Sequence, residues 1–361
     1  VFACFTGANK ILLHQIIVFY MNQIKKVLPF ILLLSLGIFF GYLIPKNNNK
    51  KKVESTSEKL PIFSTSLTNP ILPYYDQLSL DYSELSSFRG KIDSYISKEK
   101  KVHPDLHVSY YFRDLNNGLW IGINERETFS PASLFKVPLM IALLKKAQAD
   151  PKVWTMGVTY KKADLGEIPE ESGFKKEEGK FYNLEDLLTQ MIVYSDNAAS
   201  LLLLQYLGDS TVMEVVDDLN MHVGNAFHEK TNFVTVKAYA GVFRILYNAS
   251  YLSKEMSEKA LNLLSQAKYN QGIRAGVPSS IKVAHKYGKR DENAENGKVV
   301  NLQLHHFGLV YHPVKPFLIG IMTRGANVET KNKVIKDLTE ITYNEVDQQL
   351  KQGIHSHLFT E

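Results

Sequence analysis

The stretch FSPASLFKVPLMIALLKKA, residues 129–147, places a serine and a lysine three residues apart at the mouth of an apolar helix. Ser130 suits an N-cap and Pro131 the first helical position, so the spacing predicts a helix starting here with Ser133 in its first turn. Val137, Met140, Ile141 and Leu144 recur at intervals of three and four, which predicts an apolar stripe buried in the core. Residues three apart on a helix share a face, so Ser133 and Lys136 can meet. A serine decorating a helix start and a lysine snorkelling out of a core are also ordinary features, and this tetrapeptide alone leaves both readings open.

Upstream of this helix, residues 82–101 carry helical spacing in Leu85, Phe88, Ile92 and Ile96, after which the period changes to two in HVSYYFRD. Asn116-Asn117-Gly118 supplies turn residues tolerant of positive φ and GLWIGINE a returning strand, so a hairpin is expected. Downstream the chain is largely helical over 184–193, 198–207, 212–219, 236–247 and 253–266. Strand patterning then returns in SIKVAHKYG, VVNLQLHHFGLVYH and FLIGIMTR, with Asn296-Gly297 marking the first turn between them, and residues 331–350 close as a helix. This order predicts an α+β fold: one antiparallel sheet of about five strands built from both ends of the chain and packed on helices, with the helical block as a second lobe. Ligand sites favour clefts between lobes, and the Ser133 helix links the first hairpin to the helical block, so its start should lie at that seam.

The chain has 361 residues, 45% hydrophobic and 22% charged, the profile of a globular protein. Eight lysines against Glu54 and Glu58 precede residue 60, a surplus that exceeds the net charge of +5 and leaves the remainder slightly negative, which argues against nucleic acid as a partner. Residues 27–44, VLPFILLLSLGIFFGYLI, form an unbroken uncharged run behind Lys25 and Lys26, about the length of a bilayer span. No A-x-A-like cleavage site follows, so residues 21–45 are expected to be an uncleaved membrane signal-anchor. Met21-Asn-Gln-Ile-Lys-Lys is a natural start for such a signal, which makes residues 1–20 a candidate over-long gene reading. Residues 46–75, rich in Asn, Lys, Ser, Thr and Pro, are expected to be a flexible polar linker to a folded domain over 76–361. Cys4 is the only cysteine, so no disulfide can form within the chain.

Two further motifs follow Ser133-Leu134-Phe135-Lys136. Tyr194-Ser195-Asp196-Asn197 interrupts two apolar helices and by itself reads as a helix stop followed by a new cap. Lys286-Tyr287-Gly288 lies in an expected strand, where an edge lysine is ordinary. Taken in order, S-x-x-K, S-D-N and K-x-G on a strand form the signature set of the penicillin-recognising serine enzymes. Over roughly residues 80–345 the chain resembles a class A β-lactamase-type serine hydrolase, with supporting stretches TFSPASLFKVPLMIALL, NLEDLLTQMIVYSDNAASLLLLQYLG, GIRAGVPSSIKVAHKYG and FLIGIMTRG. The resemblance implies a β-lactamase/transpeptidase-like α/β sandwich with an all-helical lobe and a site between them.

A serine hydroxyl needs a base, which a lysine can be if burial and a nearby cation depress its pKa; Lys136 is expected as that base and Lys286 as that cation. The resemblance further implies Ser133 as nucleophile, an oxyanion hole from the N–H groups of Ser133 and Lys289, Ser195 as proton relay to the leaving nitrogen, Asn197 on the substrate amide, and Lys286 with Tyr287 and Gly288 at the substrate carboxylate. No cofactor is expected. The implied partners are a small-molecule β-lactam or the D-alanyl-D-alanine stem of peptidoglycan, with a monomeric catalytic domain held outside the cytoplasm of a bacterium by its membrane anchor.

Two departures stand out. The family's hydrolytic members carry E-x-x-x-N on a loop after S-D-N; here GNAFHEKTNFVT, residues 224–235, is short, and Glu229 and Asn232 are only three apart. Glu229 is thus either the deacylation base or an ordinary loop carboxylate. Tyr287 stands where the family has Thr or Ser. Arg324, on the last strand, is either a second carboxylate anchor or an edge-strand charge. His305 and His306 are adjacent in a strand, point to opposite faces and lack the partners of a metal site, so no metal is expected. The expected function is β-lactam hydrolysis through an acyl-enzyme on Ser133; the alternatives are a D,D-peptidase or transpeptidase with slow deacylation and a non-catalytic peptidoglycan-binding module.

Overall fold

The computed structural model describes residues 82–161, 177–221, 232–291 and 302–358. The expected anchor over 21–45, the linker over 46–75, Glu229 and the Asn296-Gly297 turn lie outside them. Among the described residues no helix is long and apolar enough to cross a membrane.

Five antiparallel strands form the sheet: β1 (His107–Asp114), β2 (Trp120–Ile123), β7 (Val283–Arg290), β8 (Gln303–Val310) and β9 (Phe317–Arg324). Their order is β2-β1-β9-β8-β7, so the two ends of the chain do meet in one sheet, and β7 forms an edge. Helices α1 (Tyr82–Val102) and α8 (Val328–Leu358) supply Phe88, Ile92, Val334, Ile335 and Leu338 to a core with Tyr110, Phe112, Ile319 and Ile321 of the sheet. Alternation along the strands sends Leu309, Leu318 and Met322 to the other face, where a second core joins them to the helical lobe.

The lobe is built from α2 (Lys136–Ala149), α3 (Leu184–Val193), α4 (Asn197–Leu207), α5 (Asp209–Asp218), α6 (Val236–Asn248) and α7 (Lys254–Ser265). Each of α3, α4, α6 and α7 starts on a side chain that accepts a backbone N–H: Asn183, Asp196, Thr235 and Ser253. The start of α2 differs from the sequence expectation. Ser130 does not cap it; residues Ala132–Phe135 form a 3₁₀ turn with Pro131 before it, and the α-helix begins at Lys136. Nor does α2 bury only a stripe. Leu139, Ala142 and Leu143 are buried along with the periodic positions, because α2 is the axis of the lobe and is wrapped on all sides. Two short ladders complete the lobe: β3 (Thr128–Phe129) with β6 (Val234–Thr235), and β4 (Gly157–Thr159) with β5 (Phe181–Asn183).

Sheet and lobe meet at Phe307, whose ring lies against Tyr239 at 4.5 Å and Phe243 at 6.2 Å between centroids. Gly320 on the neighbouring strand makes room for it: a Cβ there would lie 2.2 Å from Phe307 Cε1. Gly320→Ala is therefore expected to overpack this junction and to destabilise the protein by about 1–3 kcal/mol, read as a lower urea midpoint at unchanged slope. Adding Phe307→Leu should restore part of the loss, and a midpoint equal to the parent's would show that the ring moves aside without cost.

Candidate active site

The nucleophile turn is held from three directions. Phe233 donates its N–H to Phe129 O at 3.0 Å, Tyr239 donates its hydroxyl to Leu134 O at 2.8 Å, and Ser130 N–H donates to Gln303 Oε1 at 3.0 Å. Gln303 Nε2 in turn donates to Asn232 Oδ1 at 2.9 Å, and Arg290 donates to Ser130 Oγ at 3.0 Å. Gly288 allows β7 to approach the turn, since a Cβ there would sit 2.9 Å from Pro131 O and 3.0 Å from Leu134 N. Ala132 adopts φ +48°, a left-handed conformation that this clamp sustains. Ser133 is half-buried in the turn, one helical turn ahead of the buried Lys136.

The second motif occupies the break between α3 and α4. Tyr194 and Asp196 both donate N–H groups to Gln190 O, which leaves Ser195 at the apex with φ +61°. Asp196 is fully buried and accepts from Ala199 N–H at 2.7 Å, so its role as a cap is real and coexists with the exposure of its neighbours to the seam.

Lys136 reaches across to this apex. Its Nζ donates to Asn197 Oδ1 at 2.7 Å, to Ser195 Oγ at 3.3 Å and to Ser195 O. Lys286 arrives from the sheet edge and donates to the same Ser195 Oγ at 2.7 Å and to Tyr287 O at 3.1 Å. Burial, followed by repulsion from Lys136, holds the Lys286 amine well below the usual lysine range. Two buried amines thus converge on one hydroxyl, an arrangement able to take a proton from a serine and pass it on.

Residues 89–346 match the model of the β-lactamase enzyme family. The chain belongs to that family. Its fold is similar to that of PBP-A, at 18% identity and TM-score 0.63 over 73% of this chain and 97% of that one. It is similar also to a PBP-A mutant solved as an acyl-enzyme complex with penicillin G (17% identity, TM-score 0.61, 73% and 97% covered) and to a β-lactamase from Chitinophaga pinensis (20%, 0.62, 72% and 99%). No curated protein matches the chain.

Within this β-lactamase fold the structure brings Lys136, Ser195, Asn197 and Lys286 together beside the Ser133 turn, and sets Gly288 against that turn. Arg324 is elsewhere engaged: it pairs with Glu127 at 2.6 Å and lies 5.2 Å from the Phe129 ring centre. Lys289 pairs with Asp291 at 3.1 Å. His305 and His306 do part to opposite faces, His305 against Phe129, and His306 bonded to His285 at 2.9 Å between ring nitrogens. Burial pushes His285 and His305 down to about 3 and His306 well below its usual value, so all three are neutral.

Sequence reasoning did not single out Tyr269, Arg290 or Gln303. Arg290 carried a signal, since positions 286, 288 and 290 share one face of a strand. Gln303 and Tyr269 carried none: the first depends on the β7–β8 register and the second on where the chain runs after α7.

An amine whose folded pKa lies below its unfolded value penalises the native state at acidic and neutral pH, and the penalty fades as pH rises towards the unfolded value near 10.4. Any stability advantage of Lys286→Met over the parent should therefore shrink between about pH 7 and pH 10, measured as the difference in urea midpoints. The hydrogen bonds lost with the amine shift the whole curve; only its slope reports the pKa, and a difference that grows with pH would reverse the assignment.

Proposed function

We propose that the protein is a serine β-lactam hydrolase that forms an acyl-enzyme on Ser133. The observation that carries this reading is Ser195 Oγ held between Lys136 and Lys286 beside the Ser133 turn. In the proposed reaction Ser133 Oγ attacks the lactam carbonyl while its proton passes to Lys136. The negative oxygen is received by the N–H groups of Ser133 and Lys289. The carbon–nitrogen bond then breaks, and the nitrogen takes the hydroxyl proton of Ser195, which is replaced from the Lys136 ammonium. Asn197, already bonded to Lys136, orients the substrate amide. Water finally cleaves the ester and restores the Ser133 hydroxyl.

The short loop supports a second reading in which the acyl-enzyme persists, as in a penicillin-acylated D,D-peptidase or transpeptidase. Asn232, the partner expected beside Glu229, is bonded to Gln303. Without a placed carboxylate, ester hydrolysis loses general-base help worth about 10²- to 10⁴-fold. The uncleaved apolar segment over residues 21–45 would hold either enzyme at the outer face of a bacterial membrane. In that case the chain sediments with membranes and resists alkaline extraction, and recovery in the soluble fraction refutes the tether.

Intact-mass measurement after mixing the full chain with excess benzylpenicillin tests the reaction. The expected result is a gain of one penicillin mass, absent in Ser133→Ala; an adduct that survives this substitution overturns Ser133 as nucleophile. Prompt return to the unmodified mass with the drug hydrolysed selects the hydrolase, and Glu229→Gln should then trap the adduct. A lasting adduct on the parent selects the second reading.

A further inference from the structure

Helix α2 carries a proline in its first turn. Pro138 has no N–H to give to the carbonyl four residues back, Leu134 O, and its ring crowds that oxygen. Leu134 is fully buried, so its carbonyl is shut off from solvent and needs a donor from the protein. Tyr239 supplies one from another helix, its hydroxyl reaching Leu134 O at 2.8 Å. Tyr239 is itself fully buried, and burial holds its phenol well above the usual tyrosine range, so the group stays a donor.

The helix that delivers this hydroxyl is also tied to the chain ahead of the nucleophile. Strand β6, immediately before α6, pairs with β3, and Phe233 N–H donates to Phe129 O. Thr235 then caps α6 by accepting Ala238 N–H at 3.1 Å, which sets Tyr239 at the end of the first turn. Ser133 is thereby bracketed from one element, before it at Phe129 and after it at Leu134. The Tyr239 ring closes the bracket against the sheet: it meets Phe307 edge-on at 4.5 Å, and Phe307 is paired in register with Lys286.

We infer that Tyr239 is a positioning residue for Ser133: its hydroxyl replaces the helical donor that Pro138 removes, and so holds the turn at the angle from which the nucleophile attacks. Being fully buried, Tyr239 acts through Leu134 O and not on the substrate. The inference rests on acylation of Ser133 as proposed above.

The test is a double-mutant cycle on the full chain. Tyr239→Phe, which removes only the hydroxyl, is made in the parent and in Pro138→Ala, which returns an N–H to the helix four residues after Leu134. Acylation by benzylpenicillin is followed by intact mass over a range of concentrations, and urea midpoints of the four proteins report folding separately. Misplacing a reacting group by about 1 Å can cost about a hundredfold in rate. Tyr239→Phe is expected to lower the saturating acylation rate of the parent by about ten- to a hundredfold, with the half-saturating concentration within about threefold of the parent's. In the Pro138→Ala background the loss should be smaller by more than about threefold, because the restored N–H takes over Leu134 O. A parent loss under about threefold, a loss carried by the half-saturating concentration, or losses in the two backgrounds that agree within about threefold overturns the inference. A purely structural tyrosine would lower the urea midpoint in both backgrounds and show no such coupling, and failure of Tyr239→Phe to fold in either background likewise overturns the positioning role. Should benzylpenicillin leave the parent unmodified, the acyl-enzyme reading falls, and the inference with it; acylation of the parent without the coupling leaves that reading standing and removes only the inference.

Discussion

Everything at the seam depends on one hydroxyl receiving two amines. Ser195 Oγ takes Lys136 from the axis of the helical lobe and Lys286 from the edge of the sheet, so the contact exists only when lobe and sheet are docked. Two fully charged ammonium groups cannot be kept this close in a buried site at low cost, because desolvation and mutual repulsion act in the same direction. Docking of lobe and sheet therefore holds the Lys286 amine well below the usual lysine range. Phe307, paired in register with Lys286, packs on Tyr239 and Phe243, so an apolar contact of the core lies directly beside the amine pair.

Geometry of this kind is held at a cost. Ser195 and Ala132 both sit at positive φ, a region that is unfavourable by about 1 kcal/mol or more for residues with a Cβ. Each is surrounded by fixed points: Gln190 O accepting from Tyr194 and Asp196 beside the first, and Gln303, Tyr239 and the close approach of Gly288 around the second. The network from Asn232 through Gln303 to Ser130 and Arg290 also ties Asn232 to the nucleophile turn.

Much of this was legible in the sequence, and the reasons differ by element. The sheet and its composition from both chain ends followed from the switch between periods of two and 3.6, which buried faces enforce. The start of α2 was misread because Ser130 is a good cap in isolation, whereas here Arg290 and Gln303 claim its hydroxyl and its N–H. Lys136, Ser195 and Lys286 stand out in the sequence because their motif types are local; that the two amines meet on one oxygen is a tertiary fact that no spacing encodes. The sequence allows two roles for Arg324, and its ion pair with Glu127 depends on a turn whose geometry the sequence does not specify.

Residues 286 and 287 serve opposite faces of the sheet. The proposed acyl transfer needs a nucleophile, a base and a relay, and the residues proposed for them come from the Ser133 turn, the start of α2 and the α3–α4 break, with Lys286 as a second amine on Ser195. Because alternate residues of a strand face opposite ways, Lys286 points at the lobe while the Tyr287 side chain lies on the other face of the sheet. The ring then needs support on the other face of the sheet, and Tyr269, His306 and His285 supply it. Tyr287 is thereby held by packing on that face, while Lys286 reaches Ser195 on the lobe side.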